Sequence, residues 1–243
     1  MQKIIKNLFF IGIFVCILSI FLILGTYLAM KPNLPQIKYV DESELQMPLK
    51  VYTKDDVLIG EFGEIKRRAT SFNDIPENIK NAFLSAEDDN FFNHQGISYS
   101  GLIRSFVRCL RPSGCQGGGG TITMQVVRGY LLTPEQTIVR KIKEIFLALE
   151  LESNIDKEEI FELYVNRIFL GNRSYGIEAA ANTYFNKNLS DLTVSESATI
   201  AAIAQLPSRI NPVKNPRRTL QRRDWILSRM YLLDHIDKNE YLN

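Results

Sequence analysis

The sequence predicts a predominantly α-helical domain that follows one N-terminal transmembrane helix and a short β-hairpin. Three observations support this: an uncharged apolar run over residues 8–30, two short strand-like segments near residues 50–62, and helical spacing of apolar residues beyond residue 74. With 243 residues the chain is long enough for one sizeable domain and an anchor. Its formal net charge of +2 is too small to indicate a nucleic-acid partner.

The apolar run over residues 8–30 is long enough to cross a membrane. A helix rises about 1.5 Å per residue, and the hydrocarbon core of a bilayer is about 30 Å thick. A cleaved signal peptide would have a shorter apolar region and small residues before its cleavage site. Residues 27–30 form a poor cleavage sequence. We therefore predict that residues 1–30 contain a cytoplasmic tip and an uncleaved anchor.

The charges around this run predict its orientation. Lys3 and Lys6 precede it, whereas a single lysine, Lys31, and then acidic residues follow it. The positive-inside rule places the N-terminus in the cytoplasm and the rest of the chain on the outer face of the membrane. Residues 31–50 contain three prolines and no periodic pattern, which is typical of a linker.

The elements of the domain, assigned to residues 51–243, follow in order. Residues 50–53 and 57–62 predict the two strands of the hairpin. Pro76 suits the first position of a helix. The apolar face of that helix is formed by Ile79, Ala82, Phe83 and Ala86.

A second amphipathic stretch covers residues 101–111. Its apolar side consists of Leu102, Ile103, Phe106, Val107 and Leu110, and its other side carries Arg104, Arg108 and Arg111. This pattern fits an ordinary surface helix, and it fits equally a helix lying in the membrane interface. Cys109 and Cys115, at its end, could form a disulfide or remain two thiols.

Further helices are predicted over residues 135–152, 157–169 and from Pro216 onward. The residues expected to face inward in the first of these are Ile138, Ile142, Ile145 and Leu149. Thr193 and Glu196 have the spacing of a capping box, which would open an alanine-rich buried helix that ends before Pro207.

Three stretches carry candidate chemistry. Glu87, Asp88 and Asp89 follow one another where a helix is expected to end, so the helix dipole and mutual repulsion would raise a pKa, as a general base requires. Four glycines at 117–120 precede a helix-like run and could admit an anion, although they lack the ending of a nucleotide-binding P-loop. Taken singly, the first could be a solvated acidic turn and the second a flexible loop.

The third stretch contains Arg140, Lys141 and Glu144, which share one face of a helix because they are three and four residues apart. Alone, such a set is usually an exposed ion-pair cluster. Its combination with a candidate base and a glycine loop outside a membrane is more informative than any single stretch.

Together these stretches resemble the peptidoglycan glycosyltransferases, a family that includes the N-terminal domains of class A penicillin-binding proteins and stand-alone monofunctional enzymes. The resemblance covers roughly residues 50–230. The matching motifs, in the family's order, are Glu-Asp-x-x-Phe-x-x-His-x-Gly at 87–96, Gly-x-x-Thr-Ile-Thr-x-Gln at 118–125, Arg-Lys-x-x-Glu at 140–144, Glu-Leu-Tyr-Val-Asn-Arg-Ile-Phe-Leu-Gly at 162–171, Gly-Ile at 176–177, Tyr-Phe-Asn-Lys at 184–187, and a last motif from Leu192 to Pro212.

The resemblance implies a lysozyme-like helical fold with a small membrane-proximal lobe that would include residues 101–111. It implies that Glu87 is the base that deprotonates the acceptor sugar and that Glu144 is a second catalytic acid. The residues implied to bind substrate or support the centre are Asp88, Phe91, His94, Thr121, Gln125, Arg128, Arg140 and Lys141. The family usually has serine, glutamine, asparagine and an Asp or Asn where this chain has Gly120, Met124, Gly129 and Ser98.

The implied reaction is the inverting transfer of a lipid-pyrophosphate-linked glycan to lipid II, which builds β-1,4 strands of the bacterial cell wall. The implied setting is the periplasmic face of the inner membrane, with other cell-wall synthesis proteins as partners. No cofactor or protein metal site is expected, although Mg²⁺ or Mn²⁺ could assist the pyrophosphate. A pyrophosphate leaving group needs charge neutralisation more than a proton, which accounts for the cationic helix face.

Two rival functions remain open. A lysozyme-like hydrolase would pair two carboxylates around the cleaved bond and gives no role to Arg140 and Lys141. A catalytically lapsed scaffold would be favoured by loss of Glu87 or Glu144, and both are present. The chain lacks the Ser-x-x-Lys and Lys-Thr-Gly signatures of a transpeptidase. It is either a monofunctional enzyme or the N-terminal part of a bifunctional one.

Overall fold

The computed structural model describes residues 7, 10, 14, 17–18, 21–22, 24–35, 37, 49–55, 58–62, 70–109, 120–133, 135 and 137–242. Residues 24–30 are helical, while much of the predicted span over residues 8–30 lies outside the described residues. Within the described part of the chain, no helix combines the length and apolar character needed to cross a bilayer. Cys115 and the glycines at 117–119 also lie outside the described residues.

The predicted hairpin is confirmed. Strand β1 (Leu49–Tyr52) pairs antiparallel with β2 (Leu58–Phe62), with Val51 opposite Gly60 and an irregularity in register at the next residue.

The rest of the described domain is predominantly α-helical, as predicted. Its helices are α1 (Glu77–Glu87), α2 (Tyr99–Cys109), α3 (Ile122–Leu131), α4 (Ile138–Glu152), α5 (Lys157–Arg167), α6 (Ile177–Phe185), α7 (Val194–Gln205), α8 (Pro216–Leu232) and α9 (Lys238–Leu242).

The core is centred on α7, which packs against α1 and α8. The capping box opens α7 as predicted: the Glu196 N–H donates to the Thr193 hydroxyl at 3.2 Å, and the Thr193 N–H donates to the Glu196 carboxylate at 2.8 Å. Ala198, Ala201 and Ala202 of α7 are fully buried, as are Ile79 and Phe83 of α1. Small side chains on α7 let the neighbouring helices approach closely, so α1 is held firmly up to its last residue.

The inward face predicted for α4 is wrong. Leu147, Ala148 and Leu151 are fully buried, whereas Leu149 is 38% exposed and Ile145 is only partly buried. Apolar residues lie around most of this helix, so their spacing alone does not select the buried side. The side that is buried also contains the carboxylate of Glu144, which a hydrophobicity pattern counts as polar.

Two side chains of helix α5 hold the segment at residues 70–72, which precedes α1. The buried Asn166 side chain accepts a hydrogen bond from the Thr70 N–H at 2.9 Å and donates one to the Thr70 carbonyl at 3.0 Å. One turn earlier, the Glu162 carboxylate accepts a hydrogen bond from the Phe72 N–H at 2.7 Å. These side chains satisfy backbone groups that have no strand partner, and they fix where the segment meets the core.

We expect Asn166→Ala to lower the free energy of unfolding by about 2–3 kcal/mol, because two hydrogen bonds are lost and partly buried backbone groups of Thr70 are left unpaired. Denaturant unfolding followed by circular dichroism would measure the change. The control is Asn182→Ala, an exposed position within α6, which should change stability by no more than about 0.5 kcal/mol. Equal effects of the two variants would show that the Asn166 side chain does not hold this segment in place.

Candidate active site

Glu87 is the last residue of α1, and its carboxylate accepts a hydrogen bond from the Gln125 side chain on α3 at 2.9 Å. Part of its surface stays accessible, but the surrounding protein removes enough water for burial to raise its pKa. The hydrogen bond from Gln125 and the charges of Arg222 and Arg128 lower the pKa less than burial raises it. The predicted direction is confirmed, but burial is the main cause and Asp88 contributes least.

Asp88, the next residue, is buried and joins two elements. Its Oδ2 accepts a hydrogen bond from the Ile122 N–H at 3.1 Å and lies 2.9 Å from Nε2 of the buried His94, to which it is hydrogen-bonded. Ile122 is the first residue of α3, so the carboxylate lies at the positive end of that helix dipole. Asp88 therefore fixes the chain directly after Glu87 to the helix that carries Gln125.

Thr121 caps the same helix. Its hydroxyl accepts a hydrogen bond from the Met124 N–H at 3.2 Å and donates one to the Gly96 carbonyl at 2.6 Å. Gly96 has φ +79°, and a Cβ there would lie 2.7 Å from the Ala148 carbonyl oxygen of α4. Only glycine allows this approach, so Gly96 and Thr121 together hold α3 against α4.

Phe91 lies beneath this turn. It is 1% exposed, its ring packs against Phe161 of α5, and the Lys157 ammonium lies 4.4 Å from the ring centroid. The contacts found for these four side chains are with other parts of the protein: Asp88, Phe91, His94 and Thr121. The substrate contacts implied for them remain a prediction.

The second carboxylate, Glu144, is 1% exposed and is paired with both neighbouring cations predicted on its face. Arg140 donates to one oxygen, and the Lys141 ammonium lies 3.0 Å from the other. The side chain of Lys141 is 39% exposed, so its charge is available to an external anion. A Cβ on Gly120 would lie 3.7 Å from the Lys141 ammonium, so a serine here would stand beside that cation.

The beginning of α3 joins the two clusters. Gly120 lies beside Lys141, and Gln125 lies beside Glu87. Arg128, three residues beyond Gln125, is exposed and close enough to Glu87 to affect its pKa. A substrate lying along this end of α3 would meet a proton acceptor at one point and cations at another, which suits a reaction that deprotonates a hydroxyl and releases an anion.

Two further residues lie near Glu87 that sequence reasoning missed. Arg222 of α8 lies against the end of α1, where its Nη2 is 3.4 Å from the Ala86 carbonyl, 136 residues away along the chain. Tyr164 of α5 is 4% exposed, and its hydroxyl finds no hydrogen-bond partner among the described residues. Tyr164 lay within a recognised motif, but nothing in the sequence indicated that it faces the acidic turn.

A metal site is not evident in this part of the protein. Among the described residues, no three His, Cys, Asp or Glu side chains are grouped so that they could hold a metal ion. We therefore assign no step to Mg²⁺ or Mn²⁺, and the expectation that such an ion assists the pyrophosphate stays a prediction.

Comparison with known proteins adds independent information. Penicillin-binding protein 1A of Pseudomonas aeruginosa is 50% identical over 217 residues, which cover 89% of this chain and 26% of that protein. Penicillin-binding protein 1A of Haemophilus influenzae is 46% identical over 200 residues, which cover 82% of this chain and 23% of that protein. A crystal structure of the Haemophilus influenzae protein aligns with a TM-score of 0.46 at 33% identity, over 82% of this chain and 20% of that one.

The chain thus spans about a quarter of the length of these curated relatives. The family model described as transglycosylase matches residues 55–231, which is most of the chain. The predicted resemblance is confirmed, and the chain belongs to the transglycosylase family.

Proposed function

We propose that this chain is a peptidoglycan glycosyltransferase that polymerises lipid II into β-1,4-linked glycan strands. The observation that carries the proposal is the position of Glu87, a largely buried carboxylate with a raised pKa. It is held by Gln125 of α3, and Gly120, two residues before the start of α3, lies beside Lys141. The helix α3 thus lies between a base at the end of α1 and an anion-binding cation on α4, and this transfer needs both devices.

In the proposed reaction the Glu87 carboxylate accepts the proton of the acceptor's 4-hydroxyl group. The freed oxygen forms a bond to the anomeric carbon of the growing strand, while the bond from that carbon to the pyrophosphate breaks. The bonding electron pair leaves with the pyrophosphate, and a single displacement inverts the anomeric centre. Arg140 and Lys141 would stabilise the charge that develops on the departing oxygens.

In this proposal Glu144 acts by placing the cations. Its two oxygens are engaged by Arg140 and Lys141, so the three side chains carry one excess positive charge at fixed positions. A carboxylate engaged in this way is poorly placed to protonate a leaving oxygen, which is what a hydrolase would ask of it. The pairing therefore favours the transferase over the lysozyme-like alternative.

We further propose that the domain works against the outer face of the inner membrane, anchored by residues 8–30. On α2, Ile103 is 65% exposed and Val107 is 48% exposed, and Tyr99 at its start is 73% exposed. An exposed apolar stripe of this kind, on a helix that also carries the exposed Arg104, supports the membrane-interface alternative over an ordinary surface helix. Such a position would bring the active site to the lipid-linked substrates.

We expect Glu87→Gln to reduce polymerisation of purified lipid II by about 10²–10⁴-fold, because the amide cannot accept the proton. Gel analysis of strands made by the detergent-solubilised protein would measure the loss. Glu77→Gln, at the exposed first position of the same helix, should retain parental activity. Strand synthesis by the Glu87 variant at the parental rate would exclude Glu87 as the base.

The pH dependence of kcat/KM should reflect the raised pKa of Glu87. The base is active when ionised, so activity should fall as the pH drops through a value above that of an ordinary glutamate. Gln125→Met removes a hydrogen bond that lowers this pKa, so its acidic limb should move to higher pH.

Gln205→Met, at an exposed position, should have the parental profile. An unchanged acidic limb in the Gln125 variant would show that another group controls the profile.

A further inference from the structure

We infer that Arg222 is a positioning residue that holds the Glu87 carboxylate in place and in its ionised form for proton transfer. This inference rests on the proposed function of Glu87 as the base. Arg222 lies outside the matching family motifs, and α8 follows all the other site residues along the chain. Its position is a consequence of the packing of α8 on α1.

The guanidinium of Arg222 is fixed from two sides. Its Nη2 donates a long hydrogen bond of 3.4 Å to the carbonyl of Ala86, the residue directly before Glu87. Its central carbon lies 4.0 Å from the centroid of the Trp225 ring, one turn further along α8. Stacking on an indole while bonding a carbonyl leaves the group little freedom, so its charge stays beside the end of α1.

This charge opposes the main effect that burial has on Glu87. Burial disfavours the ionised carboxylate, and Arg222 provides the largest compensating charge. The other groups that act on this region are Asp88 on the same turn, Arg128 on α3 and the buried Tyr164 on α5. Arg128 is exposed, and solvent therefore screens its charge more than that of the partly buried Arg222.

A free donor on Arg222 is consistent with a role beyond docking. Its Nε is buried and has no hydrogen-bond partner among the described residues. A buried donor without an acceptor destabilises the fold, and such groups in native structures often mark functional positions. If Arg222 served only to attach α8 to α1, a hydrogen bond from this Nε would make the attachment more stable.

Arg229 provides the matched comparison within the same helix. It lies seven residues beyond Arg222, on the same side of α8, and pairs with Asp89 of the same acidic turn. Both members of that pair are substantially exposed, and Asp89 is not among the groups that act on Glu87. Removing Arg229 therefore removes a contact between α8 and the turn without changing the charge at the base.

The test compares the pH profiles of lipid II polymerisation for the parent, Arg222→Met, Arg222→Lys and Arg229→Met. We expect Arg222→Met to lower kcat about 10-fold and to move the acidic limb of kcat/KM to higher pH, because the ionised carboxylate loses its largest compensating charge. Arg222→Lys should keep the limb near its parental position. Arg229→Met should leave the limb unchanged even if it lowers stability.

A parental limb in Arg222→Met, or an equal displacement in Arg229→Met, would overturn the inference. A second measurement follows the titration of Glu87 by infrared difference spectroscopy of protein with ¹³C-labelled glutamate, using Glu87→Gln to assign the band. It requires no turnover, so a parent that makes no strands would refute the proposed function while the effect of Arg222 on Glu87 is still measured. If Arg222→Met does not fold, Arg222→Gln replaces it in both measurements.

Discussion

The arrangement of the site depends on the buried carboxylate of Asp88. It accepts a hydrogen bond from the first backbone N–H of α3 and is hydrogen-bonded to His94. One side chain thus ties the end of α1 to the start of α3 and to the turn that follows α1. A buried charge without such partners would be strongly unfavourable, and the local path of the chain is therefore determined by the need to satisfy it. Asp88 holds the chain directly after Glu87 against the start of the helix that carries Gln125. The side chains of Glu87 and Gln125 therefore meet.

The motifs beyond residue 160 mainly build the frame around this junction. Asn166 pairs with the backbone of Thr70, and the Tyr184 hydroxyl donates to the Leu170 carbonyl at 2.8 Å while accepting from Asn211 at 3.0 Å. The Lys187 ammonium bonds the capping glutamate of α7. The first two side chains satisfy backbone groups that lie outside helices and strands, and Lys187 supports the cap of α7, which explains why specific polar residues occur there. A family signature can thus be highly specific and still consist largely of structural hydrogen bonds.

Local rules predicted much of the fold and part of the site. The hairpin, the capping box of α7 and the pairing of Glu144 with Arg140 and Lys141 all depend on residues close in sequence. Features set by tertiary packing were missed: the buried face of α4, burial as the main cause of the raised Glu87 pKa, and the approach of Arg222 across 136 residues. Periodicity and spacing carry no information about which distant helix will cover a given turn.

The two glutamates, Glu87 and Glu144, lie in different environments within one fold. Glu87 is tied by one amide hydrogen bond at the end of a helix, with part of its surface open, so an incoming hydroxyl can reach it. Glu144 is buried, and each of its oxygens is paired with a cation, so its charge holds those cations in place. The helix α3 connects these two environments, because Gly120, directly before its cap Thr121, lies beside Lys141 while Gln125 bonds Glu87. In the proposed reaction, this arrangement leaves Lys141 available to the pyrophosphate while Glu87 accepts the proton.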